Sequence, residues 1–327
     1  MYLIVGGSGF IGTRLCRRLV SSKKEFLILD KSISKSFPEK CIEENITDLD
    51  RIISIESNAS TIINLAAEHR DDVRPKSLYY EVNVTGAEHV CALAEKENVK
   101  RIVFTSSVAV YGFAVPDTDE TGEIQPFNDY GITKYKAEQV YKDWQNKDPE
   151  NRSLIIVRPT VVFGEQNRGN VYNLLKQIAS GKFVMVGNGK NRKSMAYVEN
   201  IAAFLEHAST LEAGIHIFNY IDKPDFNMNS LVGKVKQALG KDPNIKFRLP
   251  YWSGLTVGFM FDAVSKLTKK NFPISSIRVQ KFCKDSAYSS SVDRTNFIAP
   301  IDLEKAISDT IKYEFIDEHE GEVFYSE

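Results

Sequence analysis

An apolar run, Leu3-Ile4-Val5, leads into Gly6-Gly7-Ser8-Gly9-Phe10-Ile11-Gly12, and that turn restricts the fold more than any other stretch of the chain. Beyond it the apolar residues recur with helical spacing, so the turn joins a strand to a helix. Gly6 permits the tight turn, Gly9 lets a backbone approach a pyrophosphate without an intervening Cβ, and Gly12 lets the helix pack closely on the sheet. The N-terminus of such a helix presents free N–H groups to phosphate. The spacing G-x-x-G-x-x-G departs from the more familiar G-x-G-x-x-G, and an ordinary strand-to-helix turn is the competing explanation. The expectation is a dinucleotide site at Gly6, Gly9, Phe10, Ile11 and Gly12.

The first half of the chain alternates apolar strands (3–5, 26–29, 61–65, 101–105, 154–157) with helical segments (13–21, 83–97, 134–147). Alternation of this kind predicts an α/β fold, a Rossmann-type doubly wound parallel sheet. The runs Ile62-Ile63-Asn64-Leu65 and Ile102-Val103-Phe104 lack polar alternation, as strands covered on both faces do. After Gly164 the element lengths turn irregular. The expected division is a cofactor domain over 1–165 and a smaller α+β substrate lobe over 166–327, with 196–220 returning to the first through a strand at 215–219.

Lys plus Arg (42) and Asp plus Glu (43) nearly cancel along 327 residues, so no overall field points to nucleic acid or membrane. Cys16, Cys41, Cys91 and Cys283 form no C-x-x-C pair, which argues against zinc or redox motifs. A fold beginning at residue 2 predicts no signal peptide and a cytoplasmic location. The apolar stretch 252–261 is far shorter than the roughly 18 residues that span a bilayer. A packed helix of the second lobe is expected there, with an interfacial helix as the alternative.

Polar residues collect at the carboxyl ends of the strands, where such folds bind ligands. Asp30, about 20 residues past the glycine turn, is placed to accept the ribose hydroxyls and to repel a 2′-phosphate, favouring NAD over NADP. Lys31 and Arg14 nearby work against that preference. Asp48 is placed for the adenine edge or, equally, as a helix N-cap. Tyr130 and Lys134 stand four apart, so on a helix they share a face. An ammonium beside the phenol lowers its pKa and fits Tyr130 for proton exchange with an alcohol. Ser107, preferred over Ser106, ends a strand where its hydroxyl can hold the reacting oxygen.

These segments together resemble the extended short-chain dehydrogenase/reductase family, in its NAD-dependent nucleotide-sugar epimerase/dehydratase group. The resemblance rests on GGSGFIG (6–12), LD (29–30), NLAA (64–67), VNVTGA (82–87), FTSSVAVYG (104–112), YGITK (130–134), RPTVVFG (158–164) and GNGKNRKSMAYVEN (187–200). It implies catalytic roles for Ser107, Tyr130 and Lys134. It also implies cofactor contacts from Asn64, Ala66, Ala67 and Pro159, with Asn83 bracing the nicotinamide-side loop.

Dehydratases of the group place an acid just before the Val-Tyr-Gly, where this chain has Val108 and Ala109. The expected activity is therefore 4-epimerisation of a nucleotide-diphosphate sugar through a 4-keto intermediate. An NAD(P)H-dependent 4-keto-sugar reductase is the close alternative; a 4,6-dehydratase and a non-catalytic NAD(P)-binding protein stand further off. Lys193-Ser194-Met195 replaces the relatives' Arg-Asp-Phe, so Lys193 would meet a diphosphate as a point charge. Arg278, Asn170 and Val171 resemble the family's remaining substrate contacts. The chain is expected to dimerise through its helices at 84–94 and 137–144, and to bind neither metal nor nucleic acid.

Overall fold

The computed structural model describes residues 1–70, 73–268 and 275–325. The main sheet is built from β1 (Tyr2–Val5), β2 (Phe26–Asp30), β3 (Cys41–Glu43), β4 (Thr61–Asn64), β5 (Arg101–Thr105) and β6 (Ser153–Pro159). A late strand, β10 (Gly214–Tyr220), completes it in the order β10-β6-β5-β4-β1-β2-β3. Every pairing in this sheet is parallel. The reversal of order between β1 and β4 makes the crevice where the carboxyl ends open.

Parallel strands need covered faces, and alternate side chains feed two cores. Leu3, Val5, Ile62, Ile102 and Phe104 pack with α2 (Leu49–Ser54), α4 (Gly86–Lys96) and α5 (Asp129–Asn146). Ile4, Ile28, Ile63 and Val103 face the other way, onto α1 (Phe10–Ser21) and α7 (Val198–Ala208). The helical backbone from α3 (Ser77–Tyr80) into α4 passes through one widened turn at Glu81–Thr85, so the expected helix at 83–97 starts earlier than its pattern suggested.

The second lobe carries a three-stranded sheet of β11 (Asp222–Asn227), β9 (Arg192–Tyr197) and β7 (Val161–Phe163), and a pair formed by β8 (Met185–Val186) and β12 (Arg248–Leu249). Its core joins these strands to α6 (Asn170–Ala179), α8 (Met228–Ala238) and α11 (Leu303–Phe315). Two more helices, α9 (Tyr251–Thr268) and α10 (Ser276–Cys283), pack on each other. The chain thus leaves the main sheet at β6 and returns at β10, whose Gly214 to Tyr220 lie beside Ser153 to Pro159.

Candidate active site

The glycine turn is shaped by contacts that no side chain would survive. Gly6 has φ +78°, and a Cβ there would stand 2.6 Å from the Ala66 nitrogen, so the turn after β1 lies directly on the loop after β4. A Cβ at Gly12 would stand 2.5 Å from the Cα of Gly7, so the close packing is against the turn itself. Gly9 differs: a Cβ there would meet only the Gly6 carbonyl, at 3.4 Å. Gly9 caps α1 with no side-chain hydrogen bond, and the helix's first internal bond runs from the Thr13 N–H to the Gly9 carbonyl. The N–H groups of Phe10, Ile11 and Gly12 therefore precede that bond beside open space, an arrangement that fits a pyrophosphate.

Asp30 ends β2 next to this turn. Its carboxylate accepts the N–H of Ser8 at 3.0 Å and of Ser32 at 3.1 Å, while burial pushes its pKa up. The carboxylate is thereby fixed at the rim, where a ribose would lie. Arg14 does not offset it: buried, it pairs with Glu199 at 3.0 Å and donates to the Glu165 carbonyl at 2.9 Å. Asp48 is a helix cap, accepting the Arg51 N–H at 3.2 Å at the start of α2. The N-cap reading of Asp48 is thus the one the structure shows.

Asn64 also turns inward. Its Nδ2 donates to the Tyr141 hydroxyl at 2.6 Å and its Oδ1 accepts the Ala66 N–H at 3.0 Å, which sets the path of Ala66 and Ala67 against Gly6. Asn83, in the widened turn, clasps the same loop: it accepts the Glu68 N–H at 2.8 Å and donates to the Glu68 carbonyl at 3.0 Å. It also donates to Thr133 on α5 at 2.9 Å. Pro159 lies buried at the end of β6, opposite Tyr220.

The three reactive residues meet at the end of β5. Ser107 caps the short turn 108–111, accepting the Ala109 N–H at 3.1 Å. A Cβ on Gly131 would stand 2.6 Å from the Ala109 carbonyl, so α5 rests on that turn and carries Tyr130 to Ser107. The Ser107 hydroxyl lies close enough to act on the Tyr130 phenol, lowering its pKa against burial. Lys134, one turn along α5, is buried and donates to the Thr105 carbonyl at 2.6 Å, above the Phe104 ring. Burial lowers its pKa to about 7, against the pull of Glu138. Burial likewise pushes Tyr130 up to about 12, opposed by the Ser107 hydroxyl. Desolvation is therefore the larger influence on this phenol, and it acts against the lowering expected from the neighbouring ammonium.

Sequence reasoning missed the support beneath this group. Glu138 is fully buried on α5 and takes both a 2.8 Å and a 2.6 Å bond from Arg158 of β6. Ser106 donates to the same carboxylate at 2.6 Å, which explains why Ser106 is structural and Ser107 faces the site. Arg158 continues to the Tyr111 hydroxyl at 2.7 Å, and Tyr111 donates to Asn219 of β10 at 2.8 Å. The one available signal was Glu138 four residues after Lys134.

The expected substrate residues scatter. Lys193 is half-buried, desolvation lowers its pKa to about 8, and its ammonium caps α10 by donating to the carbonyls of Lys281 at 2.9 Å and Lys284 at 2.7 Å. A cation at the C-terminal end of a helix is favourable, which accounts for these two bonds. Val171 packs in the core of the second lobe, and Asn170 is exposed in the first turn of α6. Arg278 is exposed on α10.

A family model described as the NAD dependent epimerase/dehydratase family matches residues 2–219. The chain belongs to that family, whose cofactor is NAD. Over 96% of its length it is 48% identical to the N-acetyl-alpha-D-glucosaminyl-diphospho-ditrans,octacis-undecaprenol 4-epimerase of Escherichia coli O157:H7, covering 95% of that protein. It is 29% identical to the UDP-glucose 4-epimerase of Bacillus subtilis, with 83% of each chain covered. In fold it is similar to the crystal structure of UDP-glucose 4-epimerase from Thermotoga maritima, with TM-score 0.75 at 19% identity, covering 95% of this chain and 97% of that one. The matched span contains the glycine turn, Asp30, Ser107, Tyr130 and Lys134, and the chain is an enzyme of the NAD-dependent epimerase kind.

Proposed function

We propose that the protein is an NAD-dependent 4-epimerase whose substrate is an N-acetylhexosamine joined through a diphosphate to a polyprenyl lipid. The observation that carries this reading is the meeting of Ser107, Tyr130 and buried Lys134 at the end of β5, where α5 rests on the turn that Ser107 caps. Bound NAD supplies a site that takes hydride from the sugar and returns it. Ser107 holds the C4 oxygen, Tyr130 exchanges its proton, and Lys134 supports the charge on Tyr130. Val108 and Ala109 offer no acid for elimination, which favours epimerisation over dehydration. The 48% likeness over nearly the whole chain supports the lipid-linked carrier. The UDP-glucose relatives support a second reading, in which the carrier is a nucleotide.

Incubation with N-acetylglucosaminyl diphosphoundecaprenol in detergent, and separately with UDP-N-acetylglucosamine, tests the two carriers without added cofactor. Conversion of the first to its galacto epimer is expected. Conversion of the nucleotide sugar alone would move the assignment to the second reading. Turnover of only a 4-keto sugar with added NAD(P)H would make the protein a reductase. The same reading includes a homodimer through α4 and α5 and a cytoplasmic role in polysaccharide biosynthesis; mass measurement in solution tests the dimer.

A further inference from the structure

α9 has the composition of a core helix and the exposure of a surface one. Its eighteen residues, YWSGLTVGFMFDAVSKLT, include two charges, yet only Gly254 and Gly258 are buried. Those glycines form the packed face. A Cβ on Gly254 would stand 2.5 Å from Val186 Cγ1, and one on Gly258 would stand 2.7 Å from the Cα of Ser276 on α10. Asp262 turns the same way, accepting the Ser276 N–H at 3.2 Å.

The opposite face is a continuous apolar stripe. Trp252 (70% exposed), Phe259 (55%), Met260 (64%) and Leu267 (84%) recur at helical spacing, without a charged residue among them. Helices apolar on all sides belong in a core or in lipid, and large exposed apolar patches mark interaction surfaces. The surroundings are basic: from β12 through α10 the described residues hold four Lys or Arg and one acid, in a chain whose formal net charge is -1. Near neutrality of the whole conceals this local excess.

A second exposed apolar pair lies between α10 and the site. Lys281 of α10 lies over the Phe127 ring at 5.3 Å, and Lys284 over Phe113 at 4.6 Å. Phe113 and Phe127 stack at 4.6 Å, each 47% exposed, and Phe127 is three residues before Tyr130. Exposed apolar surface therefore borders the approach to the reactive hydroxyl. Among the described residues no helix is long and apolar enough to cross a membrane.

We propose that α9 lies in the interfacial plane of an anionic lipid bilayer, its Trp252–Leu267 stripe among the acyl chains and the flanking cations at the headgroups. This rests on the lipid-linked substrate reading and deepens it: the helix seats the site where a polyprenyl carrier is held. The expected packing of this helix holds on its glycine face alone, which leaves the apolar face free for lipid.

Trp252 reports the contact directly, since the only other tryptophan, Trp144, is buried. The full chain is titrated with vesicles of phosphatidylcholine, with and without phosphatidylglycerol, while fluorescence and co-sedimentation are followed. A blue shift and sedimentation with the anionic vesicles are expected. The triple variant Phe259→Ser, Met260→Ser, Leu267→Ser should bind at least ten-fold more weakly with an unchanged circular dichroism melt. Lys266→Glu with Lys281→Glu, or high salt, should weaken it too. Absence of binding by the wild type, or equal binding by the triple variant, overturns the proposal. So does a triple variant that changes the sedimenting mass in solution, which would make the stripe a contact between copies. Because the vesicles contain no sugar, vesicle binding without epimerisation of the lipid-linked sugar sinks the substrate reading alone. Epimerisation in detergent without vesicle binding sinks the docking alone.

Discussion

Tyr130 is held, before any ligand arrives, in surroundings that favour its neutral form. Burial sets the phenol at about 12, and Lys134, itself buried, gives its hydrogen bond to Thr105. Tyr130→Phe keeps the ring and removes the exchangeable proton. Turnover should fall by about 10²–10⁴, while NAD binding by calorimetry stays near the wild-type value. Near-normal turnover would remove Tyr130 from the proton-transfer role. Asp222 gives a pH test of stability. Burial raises its pKa to about 6, against hydrogen bonds from the Tyr197 N–H at 2.6 Å and from Asn200 at 2.9 Å. A carboxyl whose pKa is higher in the folded state binds its proton more tightly there. Its favourable contribution is therefore full below pH 4 and lost as pH rises through 6, on the order of 3 kcal/mol. Denaturant titrations at pH 4 to 7 should show this slope in the wild type and not in Asp222→Asn; identical slopes would refute it.

At the scale of elements, α1 shows what glycine spacing specifies. The open side of Gly9 and the closed side of Gly12 make opposite predictions. Gly9→Ala should fold with nearly the wild-type melting temperature and bind NAD at least ten-fold more weakly, since its new methyl occupies space a phosphate needs. Gly12→Ala should unfold several degrees earlier, because the turn must move to admit the methyl. Thermal melts and NAD titrations on the two variants check both, and equal NAD affinity in Gly9→Ala would refute the phosphate site. Strands were the most legible elements: 101–105 is β5 to the residue, since a buried parallel strand needs an uninterrupted apolar run. The start of α4 was not legible, because the widened turn that aims Asn83 at Glu68 follows from packing against α5 and leaves no periodic signal. For α9 composition pointed to burial, yet only tertiary packing shows which face is covered.

The whole molecule is tied together by the buried chain from Ser106 through Glu138, Arg158 and Tyr111 to Asn219. Asn219 continues it, its Nδ2 donating to the Ser289 carbonyl at 2.9 Å and its backbone N–H donating to the Glu120 carboxylate at 2.8 Å. The network joins β5, α5, β6 and β10 under the site. Glu138→Ala strands a buried guanidinium and should cost about 3–5 kcal/mol. Chemical denaturation measures that loss, and a loss below about 1 kcal/mol would show that water takes the carboxylate's place. The sequence by itself determined the parallel sheet, the glycine turn into α1 and the shared face of Tyr130 and Lys134, because each depends on short-range spacing that one element or one turn enforces. Tertiary structure alone decided that Glu138 holds Arg158, that Lys193 caps α10, and that Trp252 and Leu267 stay uncovered. Those outcomes depend on which distant segments meet, and burial, charge pairing and exposure are set only when the segments are brought together.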